Sequence, residues 1–275
     1  MRIKRRTCRT LGPLAVALLA VLTLAVPPGA AVAADWSATE LKLTYGELDR
    51  PFGADPSTSN VWTTTFQHAS GWRFGDNFFF IDVINGDEPG YNDFDMYGEL
   101  YCNLSLGKIT GRDLSFGPVK DIGIIPLALN FGADANVFKY LPGIRVDWNV
   151  PGFAFFKTLF TAYIDRNEGV NKGGAPKQDD SYMIDFAWKY PFTIAGARFS
   201  VEGHAEYIGS REDELGNDVS WWVLAQPEFR FDLGNTLYGK PDQLFVGAKW
   251  QLWLNKLGDE DTDENTVLAL LVWRL

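Results

Sequence analysis

The sequence predicts an all-β chain, a transmembrane antiparallel β-barrel of about 12 strands. Three observations predict it. Period-2 alternation of apolar and polar residues recurs in segments of ten or more residues, separated by clusters of Gly, Asn, Asp and Pro. Those segments reach the ~9 to 11 residues that a tilted strand needs to cross a bilayer, where soluble strands run ~5 to 6. Of the 275 residues 15% are aromatic, and the 10 Trp, 10 Tyr and 20 Phe all fall after residue 33. The two interfacial girdles of a membrane barrel call for such enrichment.

Residues 1–33 are of another kind. Arg2, Lys4, Arg5, Arg6 and Arg9 form a cationic head, Leu11 to Val26 is nearly all apolar, and Ala31-Val32-Ala33 offers small residues to a peptidase. This pattern is that of a secretory signal peptide cleaved near Ala33, with residues 34–275 as the barrel domain. The apolar core, interrupted by Gly12 and Pro13, falls short of the ~20 residues of a spanning helix, and after residue 33 no window of ~18 residues is free of charge. Cleavage removes five cations and takes the net charge from −10 to −15. So acidic a chain, with no basic stripe, is not built to bind nucleic acid by neutralising phosphates. Cys8 leaves with the signal, so Cys102 remains alone and an internal disulfide is excluded.

Strands are expected at residues 38–46, 60–69, 76–85, 93–107, 119–131, 136–148, 153–165, 181–190, 192–208, 218–232, 243–256 and 264–275. An even count puts both ends on the periplasmic side. Alternation is plainest where Ala197, Phe199, Val201, Gly203, Ala205 and Tyr207 share one face and Arg198, Ser200, Glu202, His204 and Glu206 the other. In a membrane barrel the apolar face meets lipid and the polar face lines the lumen. Long connections such as Gly46 to Asn60, Asp165 to Asp180 and Gly209 to Asp218 are assigned to the outside. Tight turns are assigned to Asn149-Val150-Pro151-Gly152 and Lys189-Tyr190-Pro191-Phe192, while Gly107 to Pro118 and Leu233 to Asp242 are long for inner turns. The last segment alternates Val267, Ala269, Leu271, Trp273 and Leu275 with polar or small partners, the form of a closing strand presented to a barrel assembly machinery.

Function in a barrel sits in the lumen. Alternation places Asp82, Tyr97, Glu99, Tyr101, Asn103, Arg145, Asp147, Lys157, Asp185, Arg198, Glu202, His204, Glu228, Arg230, Lys249 and Gln251 inside, with Phe78 and Phe80 adding flat faces. Mixed charges at close quarters leave a narrow polar passage, and rings beside them suit a solute with a stacking base and a hydroxylated sugar. Ser200, Glu202 and His204 share one face in the order of a hydrolase constellation, but i and i+4 on a strand are ~13 Å apart, beyond hydrogen bonding. A barrel that hydrolyses lipid and a non-conducting structural or adhesive barrel are the rival readings, along with a soluble periplasmic β-protein. The Asp259 to Glu264 run lacks the glycine and the later glutamate of a calcium loop. No zinc spacing, phosphate loop or dinucleotide fingerprint is present, and no cofactor is expected.

The stretch Phe66-Gln67-His68-Ala69-Ser70-Gly71-Trp72-Arg73-Phe74-Gly75-Asp76-Asn77-Phe78-Phe79-Phe80-Ile81-Asp82 resembles the N-terminal signature of the nucleoside-specific channel-forming Tsx-like outer-membrane family. Gly143-Ile144-Arg145-Val146-Asp147-Trp148 through Pro151-Gly152-Phe153 to Tyr163, and Trp250-Gln251-Leu252-Trp253-Leu254-Asn255-Lys256, are similar to it as well. The resemblance implies a monomeric twelve-stranded barrel among outer-membrane lipids that admits nucleosides and deoxynucleosides without covalent chemistry. Phe78, Phe80 and Asp82 are carried over within the matching stretch. The other lumen positions rest on alternation.

Overall fold

Long stretches of β-branched and aromatic residues at alternate positions favour extended backbone and give each strand one apolar and one polar face. The computed structural model describes residues 34–90 and 92–275, so the signal-peptide assignment lies outside the described residues. The strands are β1 (Trp36–Asp49), β2 (Thr58–Trp72), β3 (Gly75–Gly86), β4 (Phe94–Ser105), β5 (Val119–Gly132), β6 (Val137–Tyr140), β7 (Gly143–Trp148) and β8 (Phe155–Asp165). They continue with β9 (Ser181–Ile194), β10 (Ala197–Ile208), β11 (Arg211–Glu212), β12 (Asp218–Val219), β13 (Trp222–Ala225), β14 (Glu228–Asp232), β15 (Leu244–Leu254) and β16 (Glu264–Arg274). Each pairs antiparallel with its neighbours, and β16 returns to β1 in register from Glu40 opposite Arg274 to Tyr45 opposite Ala269. The sheet is therefore a closed barrel of 12 staves.

Two staves are broken. β6 and β7 both lie between β5 and β8, interrupted at Leu141-Pro142, and β13 and β14 both lie between β10 and β15, interrupted at Gln226-Pro227. Proline has no N–H for a ladder, so each break falls where one occurs. Opposite the second, Gly203 takes φ +152, and a Cβ there would sit 2.3 Å from the Gln226 carbonyl oxygen. Glycine lets the two backbones approach at this kink.

The two barrel ends differ. At the turn end, short connections join β2 to β3, β7 to β8 and β9 to β10. The two connections that look long for this end carry short helices, α1 (Leu106–Thr110) and α2 (Leu233–Tyr238), capped by Ser105 and Asp232 and closed by left-handed Gly111 and Gly239. At the loop end, the segment after β8 and the β11–β12 hairpin zip together through Asp179 N–H to Glu212 O (2.9 Å) and Glu214 N–H to Lys177 O (2.7 Å).

Three expectations need correction. The turn assigned to Lys189-Tyr190-Pro191-Phe192 is strand, and β9 turns instead at Ala195-Gly196, both at positive φ. Pro191 is tolerated because β8 begins at Phe155, opposite Lys189, leaving β9 an unpaired edge beyond that point. Residues 218–219 belong to the loop hairpin rather than to the stave at 222–232. In β16 the inward partners Leu268, Leu270 and Val272 are buried, the last two against Phe245, so the closing strand is apolar on both faces.

The outer face carries Leu41, Phe66, Ile144, Phe160, Phe186, Phe229 and Leu271, all exposed. Toward the loop end it is rimmed by Tyr45–Trp62 (ring centroids 4.4 Å apart) and by Tyr182–Tyr207–Trp221 (5.9 and 6.0 Å). Toward the turn end Phe153, Tyr190, Phe192, Phe199 and Phe231 form a second chain of rings, each 5.1 to 6.0 Å from the next. These are two aromatic girdles around an apolar band, the belt a bilayer imposes. No described helix is long and apolar enough to cross a membrane.

A cation on the outer face should therefore cost according to depth. Leu43→Arg, at mid-strand beside Leu271, is expected to destabilise the barrel refolded into lipid vesicles by ~2 to 4 kcal/mol in a urea titration, and Glu47→Arg, near the loop end of the same face, by ~0 to 1 kcal/mol.

Candidate functional site in the barrel lumen

Alternation decides which side chains enter the lumen, and the register fixes the phase. Glu40 on β1 shares its phase with Thr65 and Gln67 on β2, with Phe78, Phe80 and Asp82 on β3, and with Tyr97, Glu99 and Tyr101 on β4. The same phase holds Arg145 and Asp147 on β7, Lys157 on β8, Asp185 on β9, Arg198, Glu202 and His204 on β10, Glu228 and Arg230 on β14, and Lys249 and Gln251 on β15. The structure thus places every sequence-predicted lumen residue on the inner face. The register also sets the facing of the neighbouring residues on β2 and β8. Thr63, Thr65 and Gln67 face in with Lys157, Leu159, Thr161 and Tyr163, while Trp62, Phe66 and Phe160 face out.

Charge is concentrated in two networks. Arg230, 1% exposed, donates to Glu40 (3.1 Å) and Glu228 (2.5 and 2.8 Å) and lies 3.3 Å from Glu202. Lys42 joins Glu228 (3.1 Å), Arg274 joins Glu40 (2.7 Å) and Lys189 joins Glu202 (3.2 Å). This network reaches from β14 over β15 and β16 to β1. Both networks lie in the turn-end half of the barrel; in the second, Arg145 grips Asp76 in a two-pronged contact (2.6 and 2.6 Å) over β4 and β5, with Asp147 3.0 Å from Arg145 and Lys157 3.9 Å from Asp76. Charge-assisted forks of this kind fix both partners' geometry.

On β3 and β4, next to Asp76, lies an aromatic ladder. Phe78 and Phe80 on β3 are 6.1 Å apart; Tyr101 lies 6.4 Å from Phe78 and Tyr97 6.0 Å from Phe80. Glu99 sits between the two tyrosines and accepts from both hydroxyls, at 2.6 and 2.9 Å. Asp82 accepts from Thr65 (2.5 Å) and is within electrostatic reach of Lys249, while Glu99 is within reach of His204 and Asp185 across the lumen. A polar chain continues from His204 to Gln226 (3.1 Å), Gln251 (2.7 Å) and Glu264 (2.5 Å).

The remaining lumen is narrowed from one side. Ile125, Leu141, Leu159, Met183, Ile208 and Trp222 form a buried apolar cluster on the inner face of β5 to β13, and Arg211 from the loop hairpin stacks on Trp222 (4.3 Å) and Tyr163 (5.3 Å). Arg198 stands apart from the ladder, paired with Asp242 (2.8 Å) at the rim of a turn-end recess of about 300 Å³ lined by Lys189, Ser200 and Asp232. Ser200 donates to Glu202 (2.9 Å), whereas His204 contacts Asp185 and Gln226, so the two members of the serine constellation are not partners. The acidic run near the end of the chain is consumed locally. Asp259 accepts from Phe52 N–H and Thr262, Asp263 accepts from Asn255 N–H, and Glu264 pairs with Lys256 at 2.6 Å.

Sequence reasoning missed Glu40, Lys42, Asp76, Lys189, Glu206 and Arg274 as lumen candidates. The signal for the first two was present: Glu40, Lys42 and Thr44 alternate with Leu41, Leu43 and Tyr45. Glu206 likewise stood on the polar face of its own segment.

An antiparallel barrel with an apolar belt and a charged, aromatic-lined interior defines an outer-membrane channel. The family described as "Nucleoside-specific channel-forming protein, Tsx" matches residues 36–269, and the chain belongs to that family. It is 26% identical over 264 residues to outer membrane protein OmpK of Vibrio parahaemolyticus, covering 90% of this chain and 92% of that protein. Among solved structures the NanC porin aligns with a TM-score of 0.50 at 10% identity, covering 86% of this chain and 100% of the porin, a likeness of fold. The KdgM porin aligns with a TM-score of 0.43 at 9% identity, over 85% of this chain and 98% of that one.

Removing one partner of the buried network should be severe, because it strands the charges left behind. Arg230→Met is expected to lower stability by ~3 to 5 kcal/mol in urea unfolding from lipid vesicles, while Lys157→Met, whose side chain is 24% exposed and 3.9 Å from its partner, should cost under ~1 kcal/mol.

Proposed function

We propose that this outer-membrane channel is passive and selective for nucleosides and deoxynucleosides. The observation that carries the reading is the ladder of Phe78, Phe80, Tyr97 and Tyr101 with Glu99 held between the two hydroxyls. A nucleobase is a flat ring that stacks on aromatic faces whatever its sequence of ring atoms, and its sugar presents hydroxyls that donate to carboxylates. Glu99 and Asp82 are acceptors beside the rings; His204 and Lys249 continue the polar wall at mid-height, and Arg145, Asp147, Arg198, Glu202, Glu228 and Arg230 continue it toward the turn end. The description of the matched family supports the same solute class.

Passage needs successive weak sites, so that binding favours entry without trapping the solute. Four rings on two neighbouring strands supply such a series, each offering one stacking partner. No covalent step is required, and the pairing of Ser200 with Glu202 rather than with His204 gives no support to lipid hydrolysis. In this reading the chain is exported by its N-terminal 33 residues, folded by the barrel assembly machinery and active as a monomer.

The test is single-channel conductance of the refolded mature protein in a planar bilayer, titrated with adenosine, thymidine and a sugar control. Block by both nucleosides and not by the sugar is expected, and Phe80→Ala should weaken it by about 5- to 150-fold, the equivalent of ~1 to 3 kcal/mol of stacking. Steps indifferent to all three solutes would discard nucleoside selectivity while leaving the channel.

A further inference from the structure

Most lumen carboxylates have a Lys or Arg partner: Glu40, Glu228, Glu202, Asp76, Asp147 and Glu264 each lie within 4.0 Å of one. Among the described carboxylates that lack one, three stand together at one level of the barrel. Asp185 on β9 and Glu206 on β10 are direct cross-strand partners, His204 stands two residues along on the same face, and Glu99 comes within electrostatic reach from β4. Among the described residues, no Lys or Arg lies within ion-pair distance of these three carboxylates, and the nearest cationic candidate is His204 itself, 3.3 Å from Asp185.

We propose that Asp185, His204 and Glu206 form a binding site for a divalent transition-metal cation of the zinc type within the lumen. One ligand atom from each lies within 4.8 Å of the others. Zinc holds imidazole nitrogen and carboxylate oxygen at ~2.0 to 2.2 Å, so small side-chain adjustments close the group on an ion. Two carboxylates neutralise the dication and one imidazole gives the nitrogen donor that favours zinc over calcium or magnesium, which take oxygen ligands. Glu99, already held by Tyr97 and Tyr101, adds negative potential from the facing wall. Gln226, 3.1 Å from His204 Nε2, supplies the outer contact that orients a ligating imidazole bound through Nδ1. The three residues are carried on adjacent hydrogen-bonded strands, so the donors are preorganised by the register rather than gathered from loops. A cation seated there faces the aromatic ladder and obstructs whatever solute uses the passage, so the site does not depend on nucleosides being that solute.

The experiment is calorimetric titration of zinc chloride into the refolded, detergent-solubilised protein, paired with conductance in the planar bilayer. One zinc per chain is expected, with conductance falling on addition of zinc and returning with a chelator. His204→Gln and Asp185→Asn should each weaken binding by at least ~10-fold, while His68→Gln, on the outer face beside Thr39, should leave it unchanged. Calcium and magnesium should not compete at equal concentration. Folding of each variant is checked by its heat-dependent shift in gel mobility, and Glu206→Gln serves as a second test if either substitution prevents folding. Absence of stoichiometric zinc binding, binding that survives loss of His204 in a folded variant, or binding that disappears with His68 would each overturn the proposal. Zinc binding without block of conductance would place the ion off the conduction path and overturn the obstruction.

Discussion

In hydrocarbon no backbone N–H or C=O can turn to water, and each one left unpaired costs several kcal/mol. The pairing of β16 with β1 removes the two edges an open sheet would expose, and the rest of the molecule follows from that closure. Once closed, alternation has only two destinations, lipid and lumen. A residue that would be surface in a soluble sandwich becomes interior, which is why arginines, lysines and glutamates crowd the inside of this chain while tryptophan and phenylalanine cover the outside.

Crowding charge inside is itself costly, and the structure answers with networks that span several staves. Arg230 ties Glu40, Glu228 and Glu202, and Arg145 ties Asp76 and Asp147. Each cation reaches across strands that contribute little polar volume at that level, such as those bearing Gly247 and Leu270. Together with the apolar cluster on the inner face of β5 to β13, these networks brace the interior without filling it with one continuous core. What remains is polar with an aromatic ladder on β3 and β4, and its distinctive chemistry is flat rings beside carboxylate acceptors.

Much of this was legible in the sequence. Segment length separated membrane strands from soluble ones, and the polar phase of β10 could be read directly from Arg198, Ser200, Glu202, His204 and Glu206. The errors have local causes. Pro191 reads as a turn, yet β9 outruns its neighbour there and a missing N–H costs nothing, whereas Ala195-Gly196 gives little turn signal. The twofold apolar character of β16 hides which face is inner, because Phe245 packs on Leu270 and Val272 inside while lipid meets Leu271 and Trp273 outside. Pairings such as Arg145 with Asp76 join residues far apart in the chain, and no spacing rule announces them. The meeting of Asp185, His204 and Glu206 likewise needs the register of β9 against β10.

The central claim is that the ladder of Phe78, Phe80, Tyr97 and Tyr101 makes passage depend on a stacking base. Flux of labelled thymidine, measured against a disaccharide control and ribose in vesicles containing the folded protein, tests it most directly. Thymidine should pass faster than ribose despite its larger size, and should lose that advantage when Phe78 and Phe80 are both replaced by leucine. Flux ordered by solute size alone, unchanged by those replacements, would contradict the account.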